Sequence, residues 1–165
     1  MLVKAQGFSL LEMLVVLCVS AWIATSGTAA WQAWHNQQQA RRYMESLLLV
    51  LQTARVHAIA KQRLVRVCPG VACDGKWGQD PTVLLDFDVN QNAWSLWQSS
   101  PQAPSLHRLS YNRPWIEFRA DGGLNALQNG TFIYCVPEQD WHISITLSQA
   151  GRLQHQWQPQ PCPLR

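Results

Sequence analysis

Glu12 is the residue whose chemistry fits its surroundings least. From Leu10 to Ala24 the chain is apolar apart from Glu12 and Ser20, and a carboxylate inside an apolar run of membrane length is expensive enough to be read as functional. The next chemistry is sulfur. Cys68, Cys73, Cys135 and Cys162 form an even set suited to two disulfides, while Cys18 lies in the apolar run and counts as a small apolar residue. Catalytic patterns are missing: the chain has no Gly-x-Ser-x-Gly, no His-Glu-x-x-His and no phosphate-cradling glycine loop. His35, His57, His107, His142 and His155 are scattered without a paired nucleophile, so each reads as a surface or structural histidine. Asp86-Phe87-Asp88-Val89-Asn90 starts like a calcium loop. Asn92 comes next in that pattern, and Trp97 stands where a bidentate Glu would close such a loop, so a strand edge with solvated acids is the better reading. No catalytic residue, metal site or cofactor is expected.

The elements that must position these groups begin with a helix. A helix over 8–31 would rise about 36 Å, enough to cross a hydrocarbon core of about 30 Å. Lys4 precedes it, and the small residues Ala24, Ser26, Gly27, Ala29 and Ala30 close the apolar run, which also suits an ordinary secretory signal. That alternative leaves Glu12 and the Gly7-Phe8 junction unexplained. With Lys4 on the cytoplasmic side, the rest of the chain lies in an oxidising compartment where disulfides form. Of three possible pairings, Cys68–Cys73, which closes a short Pro-Gly turn, and Cys135–Cys162, which staples the carboxy-terminal tail to a strand, are favoured over a metal site, because no His flanks either pair at ligand spacing.

Ala40, Tyr43 or Met44, Leu47, Val50 or Leu51, Ala54 and Ala58 recur at three- and four-residue steps, predicting an amphipathic helix over 32–62 whose apolar face lies on a sheet. Beyond Arg63 the period becomes alternating. Strands are predicted at 64–68, 83–88, 94–97, 115–118, 131–136, 143–147 and 152–157, the last two forming a hairpin through Gln149-Ala150-Gly151, with a loop over 99–105. With 165 residues, about 130 remain beyond the membrane segment for one domain. The net charge of +3, or +2 once the leader's Lys4 is lost, implies no nucleic acid by itself. Nine tryptophans invite a base-stacking reading. Membrane-interface positions for Trp22, Trp31 and Trp34, and sheet packing for Trp94, Trp97, Trp115, Trp141 and Trp157, are favoured over it.

Gly7-Phe8-Ser9-Leu10-Leu11-Glu12 leading into an apolar helix resembles the class III signal of type IV pilins and type II secretion pseudopilins. The resemblance implies a prepilin peptidase that cuts after Gly7 and methylates the new amino terminus at Phe8. It also implies that Glu12 pairs with the terminal amine of a neighbouring subunit. Phe118-Arg119-Ala120-Asp121-Gly122-Gly123, Asn129-Gly130-Thr131-Phe132-Ile133-Tyr134-Cys135 and Ser148-Gln149-Ala150-Gly151-Arg152-Leu153 are similar to the GspH/FimT family of minor pilins and pseudopilins. Membership of that family implies an α+β, pilin-like fold: a leader over 1–7, a transmembrane and assembly helix over 8–31, and a periplasmic domain over 32–165. The implied role is a structural subunit in the bacterial inner membrane, assembled with other minor and major pilins into a type IV pilus. A type II secretion pseudopilus is the alternative, and a membrane-anchored periplasmic enzyme ranks lower. Some members of the family bind DNA through Gly-Arg-x-Arg. Here Gly151-Arg152-Leu153-Gln154 lacks the second Arg, leaving Arg152, His155 and Arg165 as the candidate contacts and a plain hairpin turn as the favoured reading.

Overall fold

In the computed structural model the described residues are 9–88, 92–125 and 127–163, and they form one helix and eight strands. Helix α1 runs Leu10–Lys61. No proline interrupts it, and it stops where Gln62 takes φ +53°. The Gln62 amide then donates to Ile59 O at 3.4 Å and the Arg63 amide to Ala58 O at 3.2 Å, a Schellman-type closure that satisfies the terminal carbonyls. The chain falls into two compact units, divided between Gln38 and Gln39. In the first, α1 is solvent-exposed over 10–25 and 30–35 and half-buried over 36–38.

The strands of the second unit are, in chain order, β1 (Val65–Pro69), β2 (Thr82–Asp88), β3 (Ala93–Ser99), β4 (Arg108–Ser110), β5 (Ile116–Phe118), β6 (Gly130–Cys135), β7 (His142–Leu147) and β8 (Leu153–Gln158). They make two four-stranded antiparallel sheets, ordered β3-β2-β1-β5 and β4-β6-β7-β8, rather than one. The predicted apolar face of α1 is buried as expected, from Ala40 through Met44, Leu47, Leu51 and Ala54 to Ala58. It shares one core with Val65, Val67, Ile116 and Phe118 of the first sheet and Phe132, Tyr134, Ile143 and Ile145 of the second. Alternation along each strand sends these side chains inward.

Three details depart from the sequence reading. Strand β4 lies beyond the predicted loop, and Ser99, placed in that loop, ends β3. Trp77, which the sequence leaves unassigned, is buried at 5 % exposure with its indole N–H donating to Arg113 O at 2.7 Å, whereas Trp97 in β3 stays 45 % exposed. The register between β2 and β3 shifts at Leu84/Leu85, so Leu84 opposes Gln98 and Leu85 opposes Leu96. Trp97 is the extra residue of this bulge, and its ring stacks on His57 of α1 at 4.1 Å.

On the outer face of the first sheet, Cys68, Val83 and Leu85 make a second, small core with Trp94 and Trp115 packed against it. Arg66 sits over both indoles, 4.0 Å from Trp94 and 5.1 Å from Trp115, while its Nε and Nη2 donate to Glu117 Oε1 at 2.9 and 2.6 Å. The predicted hairpin is β7–β8. Gly151 takes φ +71° in its turn and donates to Ser148 O at 2.9 Å.

Candidate functional site

The polar residues of the apolar stretch differ in how they are satisfied. Ser20 Oγ donates to Leu17 O at 3.0 Å and Thr25 Oγ1 to Ala21 O at 3.1 Å, so each hydroxyl is absorbed by the helix's own backbone. A carboxylate cannot donate in this way. Glu12 is exposed in the first turn of α1, with no hydrogen-bond or ion-pair partner among the described residues. Around it Leu11, Leu14, Val16, Leu17 and Ile23 are all more than half exposed, so this part of α1 buries its apolar surface on nothing within its unit. By length and composition it is the one described helix that could cross a membrane. Gly7 and Phe8, the expected cleavage and methylation positions, lie outside the described residues.

Cys68 and Cys73 are joined, with Cα atoms 5.0 Å apart, and so are Cys135 and Cys162, at 5.8 Å. Both separations suit a disulfide. The first bridge closes the turn after β1, where Gly70 takes φ +60°, and the second ties the segment after β8 to the end of β6. Among the described residues no cluster of three metal-ligating side chains occurs. Asp86, the first acid of the incomplete calcium loop, faces His57, its Oδ2 lying 3.4 Å from Nε2; Val89, Asn90 and Gln91 lie outside the described residues.

A cavity of about 800 Å³ opens beside the Cys135–Cys162 bridge and is lined by Trp77, His107, Arg108 and Glu138 among others. His107 Nδ1 shares a hydrogen bond with the Tyr134 hydroxyl, and burial pushes the imidazole below its usual range. Burial likewise pushes the Tyr134 phenol up, so both groups are neutral and serve packing. His142 Nδ1 lies 3.0 Å from Gln160 O. The histidines with partners are therefore held by a carboxylate, a phenol and a carbonyl rather than by a nucleophile.

The Gly151-Arg152 turn is held from below by α1. Arg55 Nε donates to Gly122 O at 3.0 Å and Nη2 to Ala150 O at 3.4 Å, drawing the 119–123 and 148–152 turns onto one helix turn. Gln62 Nε2 adds a donation to Ala120 O at 3.5 Å. Arg119, Arg152 and the helix-terminal Lys61 and Arg63 thereby gather, all exposed, at one end of the domain. Arg119 is paired with Asp121 at 2.6 Å. Lys61, Arg63 and Arg152 make no ion pair among the described residues. His155 lies farther along β8, opposite Ile145, and Arg165 lies outside the described residues. The structure thus ties the turns that carry Arg119 and Arg152 to the last turns of α1, which lead to Lys61 and Arg63, three cations the sequence reading did not single out. Their sequence separation, 61 to 152, left no local signal.

A helix that is apolar at its start and amphipathic further on, with the amphipathic part packed on antiparallel sheets, defines a pilin-like protein. The chain matches the family described as Type II transport protein GspH over residues 43–151. It belongs to that GspH/FimT family of pilin-like proteins. The fold is similar to the type IV minor pilin FimU of Pseudomonas aeruginosa PAO1, at TM-score 0.58 and 20 % identity, covering 74 % of this chain and 92 % of that one. It is also similar to the minor pseudopilin EpsH of the Vibrio cholerae type 2 secretion system, at TM-score 0.54 and 16 % identity, covering 72 % and 96 %. No curated protein sequence matches. The family and these neighbours are structural pilins and pseudopilins, not enzymes.

Proposed function

We propose that this protein is a minor subunit of a type IV pilus, processed after Gly7, retained in the inner membrane by 8–31, and drawn into a filament by its helix with the domain in the periplasm. The observation that carries the reading is Glu12, a carboxylate with no partner among the described residues, set among exposed apolar side chains at the start of α1. Cleavage after Gly7 would create an amine four residues before it, and the Phe8 amine of one subunit beside Glu12 of the next offsets part of the cost of burying either charge. Prepilin peptidase, other pilins and the membrane are the partners this requires. Mass spectrometry of the mature protein should find an amino-terminal methylated Phe8; an uncut leader, or cleavage near Ala30, would sink the proposal. The family's description as a type II transport protein supports a second reading, a pseudopilus subunit. Gene neighbourhood separates the two machines.

DNA contact is a subsidiary reading, favoured by the cationic end of the domain rather than by the incomplete Gly-Arg-x-Arg pattern. Three to four cations acting together would give log affinity a slope of about −3 against log salt, and Arg152→Ala would lower its magnitude by about 1. Fluorescence anisotropy of a duplex oligonucleotide with the full chain in detergent measures this. Binding that ignores salt, or is unchanged by Arg152→Ala, removes the DNA reading.

A further inference from the structure

The second structural unit begins at Gln39, and at that end it carries a cation and two stacked indoles. The Arg41 guanidinium lies over the Trp157 ring, 5.2 Å from its centroid, and Trp157 stacks on Trp141 at 4.2 Å and 27°. Both indoles are half-buried at the margin of the main core, so each keeps an edge in solvent. Arg41 and Arg42 are exposed and make no ion pair among the described residues. Half-buried indoles and long-stemmed cations are the side chains that partition to the headgroup layer of a bilayer.

Chain connectivity puts that layer within reach. Trp31 and Trp34, exposed and 5.2 Å apart, come after the apolar run, and Arg41 lies seven residues beyond Trp34, at most about 24 Å away in any chain conformation. We infer that before assembly the face of Arg41, Trp141 and Trp157, with the exposed Arg42 next to Arg41 in the chain, rests on the membrane surface, the guanidinium groups taking phospholipid phosphates and the indoles lying at headgroup depth. The inference rests on the reading of 8–31 as a membrane span. Glu45, one helix turn beyond Arg41, and Glu138 and Asp140 just before Trp141 oppose the two arginines. Recognition is therefore of the phosphate group common to phospholipids, through a guanidinium's planar donors, rather than of net lipid charge. A protein could instead cover this face, which the test distinguishes.

The experiment uses the full chain in phospholipid vesicles, with tryptophan fluorescence quenched by lipids brominated near the headgroup. Trp141→Phe/Trp157→Phe should remove a quenchable component from the wild-type emission. Arg41→Gln/Arg42→Gln, at exposed positions that leave the core alone, should keep both indoles but lose their quenching, equally in zwitterionic and anionic vesicles. Unquenched Trp141 and Trp157 in wild type, or quenching that survives the arginine substitutions, overturns the inference. Quenching confined to anionic vesicles overturns phosphate recognition, and loss of quenching only when a second pilin is added supports the membrane contact as the state before assembly. Alkaline extraction is run alongside: a chain that leaves the membrane refutes the span itself, whereas one that stays with unquenched indoles refutes only this contact.

Discussion

Glu12→Val should leave the protein in the membrane fraction and reduce its incorporation into filaments by roughly two to three and a half orders of magnitude in the association constant. In the proposed pairing with a neighbour's Phe8 amine, the substitution would remove one member of a buried charge pair and leave the other unpaired at a cost of about 3–5 kcal/mol, each 1.4 kcal/mol being tenfold. The direction in the membrane is opposite. With 8–31 as the span, replacing its acid by Val makes insertion more favourable, by less than the roughly 3 kcal/mol that holds at a span's centre because Glu12 stands near its start, so lost incorporation cannot be ascribed to lost anchoring. Fractionating sheared filaments from membranes, with the variant tracked by immunoblot, reads both effects in one sample. Wild-type incorporation of Glu12→Val would remove the charge pair from the mechanism, leaving apolar packing of the exposed helix face as the assembly force.

Gly151→Ala should be the most damaging single-methyl change in the soluble part, costing about 3 kcal/mol or more. A Cβ at this position would stand 2.0 Å from Gly122 O, and the backbone already holds φ +71°, where an L side chain is strained. The obstructing atom is a backbone carbonyl that also accepts from Arg55, so it cannot yield without loosening the 119–123 turn from α1. The neighbouring Arg152→Ala, at an exposed side chain, should stay within about 0.5 kcal/mol. Thermal unfolding of the two variants, with the disulfides intact, measures the contrast. Similar melting temperatures would show that the turn opens at little cost. The contrast divides the Gly-Arg pair physically: Gly151 permits a close approach between two turns, whereas Arg152 is exposed and makes no ion pair among the described residues.

Much of the fold was legible in the sequence, for identifiable reasons. The buried face from Ala40 to Ala58 could be read from helical period, because every residue on it meets the same core. The β7–β8 hairpin could be read from alternation on either side of a glycine turn. Strand β4 was not legible. It is three residues long and exists only because Arg108, Leu109 and Ser110 pair with Cys135, Tyr134 and Ile133 of β6. Trp77 was missed for a related reason: it sits among Gly and Asp, where no periodicity marks burial, and its place is set by Arg113 and by edge-on contact with Phe132 at 4.9 Å.

The sequence by itself determined the properties that depend on composition and spacing along the chain: an apolar run of membrane length with one acid in it, an amphipathic continuation, alternating strands, and cysteines that could staple turns and tail. Tertiary structure alone decided which distant residues meet. It divided the strands between two sheets, set Trp97 on His57, held Gly151 against Gly122, and placed Lys61 and Arg63 at the same end as Arg119 and Arg152. The reason is that periodicity fixes which face of an element is apolar, whereas its partners depend on how all the apolar faces are buried at once.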